Sequence, residues 1–301
     1  MQRSNQPAVR RSEGSFWRRL FLFNGRSSPS RTPAEVSSAL PGSELPDSGC
    51  VLEAFGYSDK GRVRKNNEDY FRIEPHIGFY AVADGMGGAE AGEYASRLAV
   101  DVVAEHVESA ENRDFQLLLA AMQEANRRVV EAARGSLDLE GMGTTLLVGL
   151  ALGKEICITS VGDSRVYLQD ATGLRRITQD QSWMEVVGRL LGLDEESLRQ
   201  HPMRHVLTMA IGHGTPLTVN HYAVRLEHSD TLLMCTDGLH GVIEDGEIER
   251  ILRATGHSPL ETKCRRLIDA ALEAGGPDNI SVVLVRLKPD GQKESCEGAA
   301  N

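Results

Sequence analysis

Cysteine is scarce in this chain, and no cysteine has the spacing of a metal site or a disulfide framework. The 301 residues contain five cysteines, an odd number, spread along the chain without a C-x-x-C pair. Such usage predicts free thiols and a protein of the reducing cytosol rather than a secreted, cross-linked one. Cys157 and Cys235 fall inside apolar runs, where we expect them to be small core residues.

Long apolar runs are missing as well. No segment approaches the ~20 apolar residues that a membrane-spanning helix needs. With 41% hydrophobic and 25% charged residues, the composition is typical of a soluble globular protein with a full core.

The charge is acidic and unevenly placed. The chain carries a net charge of −10, although residues 1–49 contain seven arginines, no lysine and only four acidic residues. The remainder is therefore strongly acidic, which argues against a nucleic-acid partner and is compatible with a cation site or with a solvated acidic face.

Composition divides the chain into three regions. Residues 1–49 lack periodicity and predict a disordered basic tail, residues 50–288 predict one folded domain with an insert at about 178–212, and residues 289–301 predict a polar tail. Phe16–Phe23 is a basic and aromatic segment within the first tail. It is either a contact for an anionic membrane or a partner, or a chance apolar cluster in a disordered segment.

The hydrophobic periodicity predicts a mixed α and antiparallel β domain, not a doubly wound parallel sheet. Short connections between the strands at 143–169 predict an antiparallel meander. The predicted helices are Ala89–Val107, Phe115–Ala133, Ser182–Leu191, Asp194–Gln200, Asp245–Arg253 and Pro259–Glu273. The predicted strands are Val51–Tyr57, Tyr70–Ile73, Gly78–Ala83, Gly143–Leu152, Ile156–Val161, Arg165–Gln169, Leu217–Arg225, Thr231–Cys235 and Ile280–Leu287.

Acidic residues stand at the ends of four predicted strands. These are Asp84, Asp163, Asp237 and Asp278, each beside a turn residue. Clustered carboxylates repel one another, so one rim that holds all four is tolerable mainly when hard cations such as Mg²⁺ or Mn²⁺ bind there. The Gly85 carbonyl is a further candidate ligand. Two such cations about 3.5–4 Å apart lower the pKa of a shared water and suit the hydrolysis of phosphate esters.

A basic segment can supply the cation that the phosphate itself needs. Arg64 has the planar guanidinium that matches two phosphate oxygens, and Glu68 and Asp69 follow it closely enough to hold metal-bound waters.

Six segments together resemble a family. They are GRVRKNNED (61–69), ADGMGG (83–88), GMGTTL (141–146), GDSRVY (162–167), TDGL (236–239) and PDNIS (277–281). In this order they resemble the type 2C metal-dependent Ser/Thr protein phosphatases, and the bacterial branch fits best. The resemblance implies an αββα sandwich of two antiparallel sheets, with a dinuclear metal centre at one rim.

The same resemblance implies a role for each candidate residue. Asp84 would bridge two Mn²⁺ or Mg²⁺ ions, with the Gly85 carbonyl, Asp237 and Asp278 as further ligands and Glu68 acting through water. Asp163 would bind a third ion beside the insert, which resembles a flap. Arg64 would bind the phosphate of a phosphoserine or phosphothreonine protein, hydrolysed directly by a metal-bridging hydroxide. The expected partners are a bacterial Ser/Thr kinase and its substrates.

Three positions depart from the family pattern. Met86 stands where eukaryotic members place a proposed proton donor, so water is expected to be the general acid. His205 and Met209 replace residues common in the flap of relatives, which leaves open whether His205 helps to bind the third ion.

Three alternative interpretations have partial signals in the sequence. No cysteine has an arginine six positions on, which excludes a C-x5-R phosphatase. Asp237-Gly238-Leu239-His240-Gly241 has the wrong order for the GDxHG motif of other dinuclear phosphatases, so His240 is expected to be a loop residue. The open alternative is a catalytically silent or partner-gated phosphoprotein-binding module of the same fold.

Overall fold

The computed structural model describes residues 52–87, 90–188, 190–192, 194–203, 206–227, 230–256 and 258–287. The predictions for both tails, for Phe16–Phe23 and for His205 lie outside the described residues. None of the described helices is both long and apolar enough to span a membrane.

Eleven strands form two antiparallel sheets in the described part of the chain. The first sheet has the order β1-β11-β10-β7-β8, and the second has the order β2-β3-β5-β6-β9 with β4 paired to the end of β3. The strands are β1 (Leu52–Asp59), β2 (Asp69–Glu74), β3 (Phe79–Met86), β4 (Gly143–Thr144), β5 (Leu146–Leu152), β6 (Glu155–Val161), β7 (Arg165–Gln169), β8 (Leu174–Arg176), β9 (Asn220–Arg225), β10 (Thr231–Cys235) and β11 (Ile280–Leu287).

Helices cover the outer face of each sheet. The described α-helices are α1 (Ala91–Ser109), α2 (Phe115–Gly135), α3 (Glu195–Gln200), α4 (Asp237–His240), α5 (Asp245–Ala254) and α6 (Leu260–Glu273). Helices α1 and α2 pack on the second sheet, and α5 and α6 pack on the first. Asp114 begins α2 by accepting a hydrogen bond from the Leu117 amide over 2.8 Å, an N-cap that the sequence places directly before the apolar pattern.

Three apolar cores separate these layers, and strand β3 explains why. Phe79, Ala81 and Ala83 face the helices, whereas Tyr80 and Val82 face the other sheet. Alternate side chains of a strand point to opposite faces, so a continuous apolar run lets both faces be buried. The predicted αββα sandwich is therefore confirmed, with a core between the sheets and one outside each of them.

Strand β3 is longer than predicted, and this changes the setting of the central motif. The prediction that it ends at Ala83 is wrong, because Gly85 and Met86 pair with Thr144 and Gly143 of β4. The strand predicted at Gly143–Leu152 is accordingly split at Thr145, whose amide donates to the Asp84 carbonyl over 2.9 Å. Asp84 is thus held inside a strand rather than on a flexible turn.

The predicted meander over 143–169 is wrong in its last strand. Strands β5 and β6 pair as expected, but β7 pairs with β10 in the other sheet. The chain crosses between the sheets at Gly162–Ser164, where Gly162 has a φ of +102°. Asp163 lies in this crossing and therefore faces the rim that both sheets share.

The helical predictions hold for the long helices and for the short segment Asp194–Gln200, which forms α3 with Asp194 as its N-cap, but two other short segments differ from the prediction. The segment predicted as a helix at Ser182–Leu191 contains a π-helical turn at Met184–Gly188. The residues after β10, expected to form a turn, form the short helix α4. Cys157, Cys235 and Cys264 are buried free thiols, so the core role predicted for the first two is confirmed.

Candidate active site

The four acidic residues predicted at strand ends lie at one rim of the sandwich. Burial raises the pKa of the Asp84 carboxyl well above its ordinary value, and the negative charges of Asp69, Asp237, Asp163 and Asp278 raise it further. Carboxylates influence one another in this way only at short range. The structure therefore brings together residues that are separated by up to two hundred positions along the chain.

Asp69 is a buried member of this acidic group, whereas the sequence indicated only that it could hold metal-bound water. Its Oδ2 accepts hydrogen bonds from Thr236 Oγ1 over 2.8 Å and from Ser281 Oγ over 2.7 Å. Its Oδ1 is buried and accepts no hydrogen bond from the described residues. Burial, partly offset by the two hydroxyls, raises the pKa of Asp69 to about 7. The sequence signal for this role is the position of Asp69 directly after Glu68 in the basic segment.

Gly85 holds Glu68 against the acidic rim. A side chain at Gly85 would place its Cβ 2.1 Å from the Gly92 carbonyl oxygen and 2.6 Å from the Glu68 carbonyl oxygen, both backbone atoms. Only glycine fits so close to two main-chain segments. The Gly85 amide donates to the Glu68 carbonyl over 3.1 Å, so the backbones of the two candidate ligands are bonded directly.

Arg64 points into the same rim. Its Nη2 donates to Asp278 Oδ2 over 2.7 Å, in an ion pair that remains partly exposed to solvent. The guanidinium also interacts electrostatically with Asp84 and Glu68. The predicted phosphate-binding residue and the predicted metal-binding residues are therefore neighbours, as phosphoester hydrolysis requires.

Asn279 fixes the loop that carries Arg64. Its Nδ2 donates to the Lys60 and Asn66 carbonyls, each over 2.9 Å, and its Oδ1 accepts from the Glu68 amide over 2.8 Å. Asn279 itself is buried and follows Asp278 directly. Sequence reasoning missed this role, because its partners lie more than two hundred residues away.

His240 supports the crossing that carries Asp163, and the expectation that it is a loop residue is wrong. It ends helix α4, and its Nε2 donates to the Asp163 carbonyl over 3.1 Å, which requires the ring proton on Nε2. Burial lowers the pKa of His240 well below its ordinary value, so the ring is neutral. The Gly162 amide in the same crossing donates to Gln181 Oε1 over 2.9 Å.

The oxygen atoms at this rim are suitable ligands for hard divalent cations. They are carboxylate and carbonyl oxygens, the ligands that Mg²⁺ and Mn²⁺ prefer, and the buried Oδ1 of Asp69 lacks a hydrogen-bond donor. In the described residues, no three His, Cys, Asp or Glu side chains converge as a ready-made coordination group. Nevertheless, burial and nearby negative charges raise the pKa values of Asp84 and Asp163, and a bound cation would offset the cost of ionising these carboxyls.

Comparison with known proteins assigns this arrangement to a family. A sequence profile described as protein phosphatase 2C matches residues 60–274. The chain belongs to this family.

Individual relatives agree with the family assignment. The serine/threonine phosphatase Stp of Listeria monocytogenes is 35% identical over 240 residues, which cover 76% of this chain and 93% of that protein. The catalytic domain of the phosphatase PstP, solved in complex with two manganese ions, is 32% identical with a TM-score of 0.70, over 80% of this chain and 100% of that one. A serine/threonine phosphatase of S. agalactiae is 30% identical with a TM-score of 0.73, over 79% of this chain and 100% of that one.

Within this phosphatase 2C fold, the buried Asp69 predicts how the metal-free protein responds to pH. An unfolded chain binds the Asp69 proton with the ordinary pKa of 3.8, whereas the folded chain holds it up to a pKa of about 7. Between these values the folded state binds more protons, so its free energy of unfolding falls as the pH rises. Thermal unfolding in EDTA should therefore show this loss of stability, and Asp69→Asn should reduce its slope. An identical slope in Asp69→Asn would contradict the buried environment of this carboxyl.

Proposed function

We propose that this chain is a metal-dependent protein phosphatase that hydrolyses phosphoserine and phosphothreonine monoesters in proteins by direct attack of water. The observation that carries the proposal is the rim where Asp84, Asp69, Asp163, Asp237 and Asp278 meet beside Arg64. Membership of the protein phosphatase 2C family and the similarity to named serine/threonine phosphatases support it.

The carboxylates of the rim would hold two Mn²⁺ or Mg²⁺ ions. We assign Asp84, Asp237, Asp278 and the Gly85 carbonyl as ligands, Glu68 as a partner through water, and Asp163 as the ligand of a looser third ion. The oxygen-only donor set supports this assignment, and so do the raised pKa values of Asp84 and Asp163, which burial raises first and nearby negative charges raise further. Bound there, two such cations would lower the pKa of water and neutralise the charge that develops on the phosphoryl group.

Arg64 would bind and orient the phosphate. Its guanidinium projects from a loop whose main chain is fixed by Asn279, and it already engages one carboxylate oxygen of Asp278. A phosphate offers the same kind of charged oxygen and two or more of them, so a bidentate contact can replace the single bond to Asp278. Fixing the phosphate in this way aligns the ester bond with the attacking water.

The proton for the departing Ser or Thr oxygen would come from water. Met86 ends strand β3 at the rim, and a thioether carries no proton to donate. His240 is held neutral with its Nε2 proton bonded to the Asp163 carbonyl, so that proton is not directed at a substrate.

The partners we propose are phosphorylated proteins made by a bacterial Ser/Thr kinase, the kinase included. Phosphoserine and phosphothreonine carry close to two negative charges at neutral pH, which a guanidinium and divalent cations can bind together. The bacterial serine/threonine phosphatases to which this chain is similar support the same class of substrate.

Hydrolysis of a phosphothreonine peptide by the purified protein tests this function. We expect phosphate release in Mn²⁺ or Mg²⁺ and its loss in excess EDTA, because the rim carboxylates alone supply neither a nucleophile nor charge neutralisation. Asp237→Asn should lose the metal-dependent activity. Folded protein that releases no phosphate in any divalent metal would favour a phosphoprotein-binding or partner-gated module instead.

A further inference from the structure

A pocket of about 270 Å³ opens beside the proposed phosphate site. It is lined by Arg64, Lys65, Asn66, Glu68 and Gly87. A water molecule has a share of about 30 Å³ in the liquid, so the pocket has room for a phosphate and for part of a neighbouring residue. Two adjacent cationic side chains, Arg64 and Lys65, therefore border one cavity.

These two cations differ in what they already bind. Arg64 is paired with Asp278 and interacts with Asp84 and Glu68. Lys65 is exposed and makes no hydrogen bond or ion pair to any described residue. The Lys65 ammonium is thus a free positive charge at the edge of an otherwise acidic site.

The main chain under Lys65 is fixed on both sides. Asn279 bonds the Lys60 and Asn66 carbonyls, and the Arg62 amide donates to the Gly276 carbonyl over 2.8 Å. Gly61, with a φ of +78°, packs so closely on the Asp278 carbonyl oxygen that a Cβ would lie 2.1 Å from it. Ligand binding therefore needs to order only the Lys65 side chain, which limits the entropic cost of the contact.

Arg64 and Lys65 are consecutive residues that line the same pocket, so neighbouring residues of one bound peptide can contact both side chains. Consecutive Cα atoms are about 3.8 Å apart in the protein, and an extended substrate advances about 3.3–3.6 Å per residue. When Arg64 holds the phosphate, an acidic side chain one or two residues away can reach Lys65. The pairing is effective at this range, because charges are screened over about 8 Å at physiological ionic strength.

We propose that Lys65 gives this enzyme a preference for phosphoproteins that carry an aspartate or glutamate next to the phosphorylated residue. The inference rests on the proposed phosphatase function. It assigns the pocket beside Arg64 to a carboxylate of the substrate and makes Lys65 the residue that selects for it.

Two phosphothreonine peptides that differ only by Glu or Gln beside the phosphothreonine test this preference. In Mn²⁺ at low ionic strength, the unmodified protein should hydrolyse the Glu peptide with a kcat/KM about two- to fivefold higher, the range expected for one exposed ion pair. Lys65→Gln should bring this ratio close to one, and added salt should reduce it in the unmodified protein.

Lys154→Gln is the matched control. Lys154 lies in the hairpin between β5 and β6, at the opposite end of the second sheet from Met86. This variant removes the same charge from the protein and should keep the ratio of the unmodified protein. A ratio that Lys65→Gln leaves unchanged, or equal rates for both peptides in the unmodified protein, would overturn the preference alone. Failure to hydrolyse either peptide would overturn the proposed function and this inference with it.

Discussion

Asp84→Asn should lower the turnover of a phosphothreonine peptide by about a hundredfold to a thousandfold. Removal of one charge-stabilising group from an enzyme site causes a loss of this order. Asp84 is buried, and the negative charges of four other acidic residues act on its carboxyl group. An amide of the same shape keeps the hydrogen bonds of the strand but cannot neutralise two cations. We expect the loss in kcat rather than in KM.

The fold should survive this substitution. The Asp84 amide donates to Thr145 Oγ1 over 2.9 Å and its carbonyl accepts from the Thr144 hydroxyl, and neither bond involves the carboxylate. Removing one charge also lessens repulsion at the rim, so the metal-free variant should unfold at the same or a higher temperature. We expect Mn²⁺ to raise the Tm of the unmodified protein and to raise that of the variant less. Both measurements are needed, because together they separate lost metal binding from lost folding.

Glu108→Gln is a suitable control for the change in charge. Glu108 is exposed near the end of α1, and we expect its variant to keep both turnover and the Mn²⁺ effect on Tm. Near-normal turnover by Asp84→Asn with metal bound would show that the assignment of Asp84 as bridging ligand is wrong.

The candidate residues could be predicted from the sequence because each has a local signal. An acidic residue close to the end of an apolar run is expected near the end of a sheet, and the sequence shows four such residues, Asp84, Asp163, Asp237 and Asp278. The apolar runs at Phe79–Ala83 and Val282–Val285 are continuous rather than alternating. Burial on both faces follows from that pattern, and a four-layer sandwich provides it.

The supporting residues could not be predicted, because their partners are distant in sequence. Asn279 bonds a loop more than two hundred positions earlier, and His240 bonds the Asp163 carbonyl 77 positions earlier. Nor does local pattern assign a strand to a sheet, which is why β7 was expected beside β6. The length of β3 was missed for the same reason, since its last two residues pair with β4 across a gap of nearly sixty residues.

Asp180→Ala should be among the most destabilising substitutions in the described part of the chain. Asp180 is buried and accepts from Arg165 Nε over 3.1 Å and from Arg165 Nη2 over 2.7 Å. Only 14% of the Arg165 side chain is exposed, so the variant would leave a guanidinium buried without its carboxylate. Breaking a buried pair on one side lowers the free energy of unfolding by about 3–5 kcal/mol. Urea denaturation in EDTA measures this directly.

Two variants test the cause of this loss. Glu261→Ala removes an exposed i,i+4 partner of Arg265 and should lower the free energy of unfolding by only about 0.5 kcal/mol or less. Arg165→Met combined with Asp180→Leu removes both charges and should recover much of the stability lost in Asp180→Ala. If the double variant were as unstable as Asp180→Ala, lost packing rather than an unpaired charge would be the cause.

The same pair connects the start of the insert at about 178–212 to the acidic rim. Arg165 Nη1 donates to the Tyr167 hydroxyl over 3.0 Å, and that hydroxyl donates to Asp245 Oδ1 over 2.9 Å. Asp180 is followed by Gln181, whose side chain accepts from the Gly162 amide next to Asp163. Loss of the pair should therefore loosen the segment at Gly162–Ser164 that carries Asp163. Asp84 and Asp278 should keep their positions, because other strands hold them. At temperatures where Asp180→Ala remains folded, we accordingly expect weakened binding of a third Mn²⁺ while binding of the first two persists.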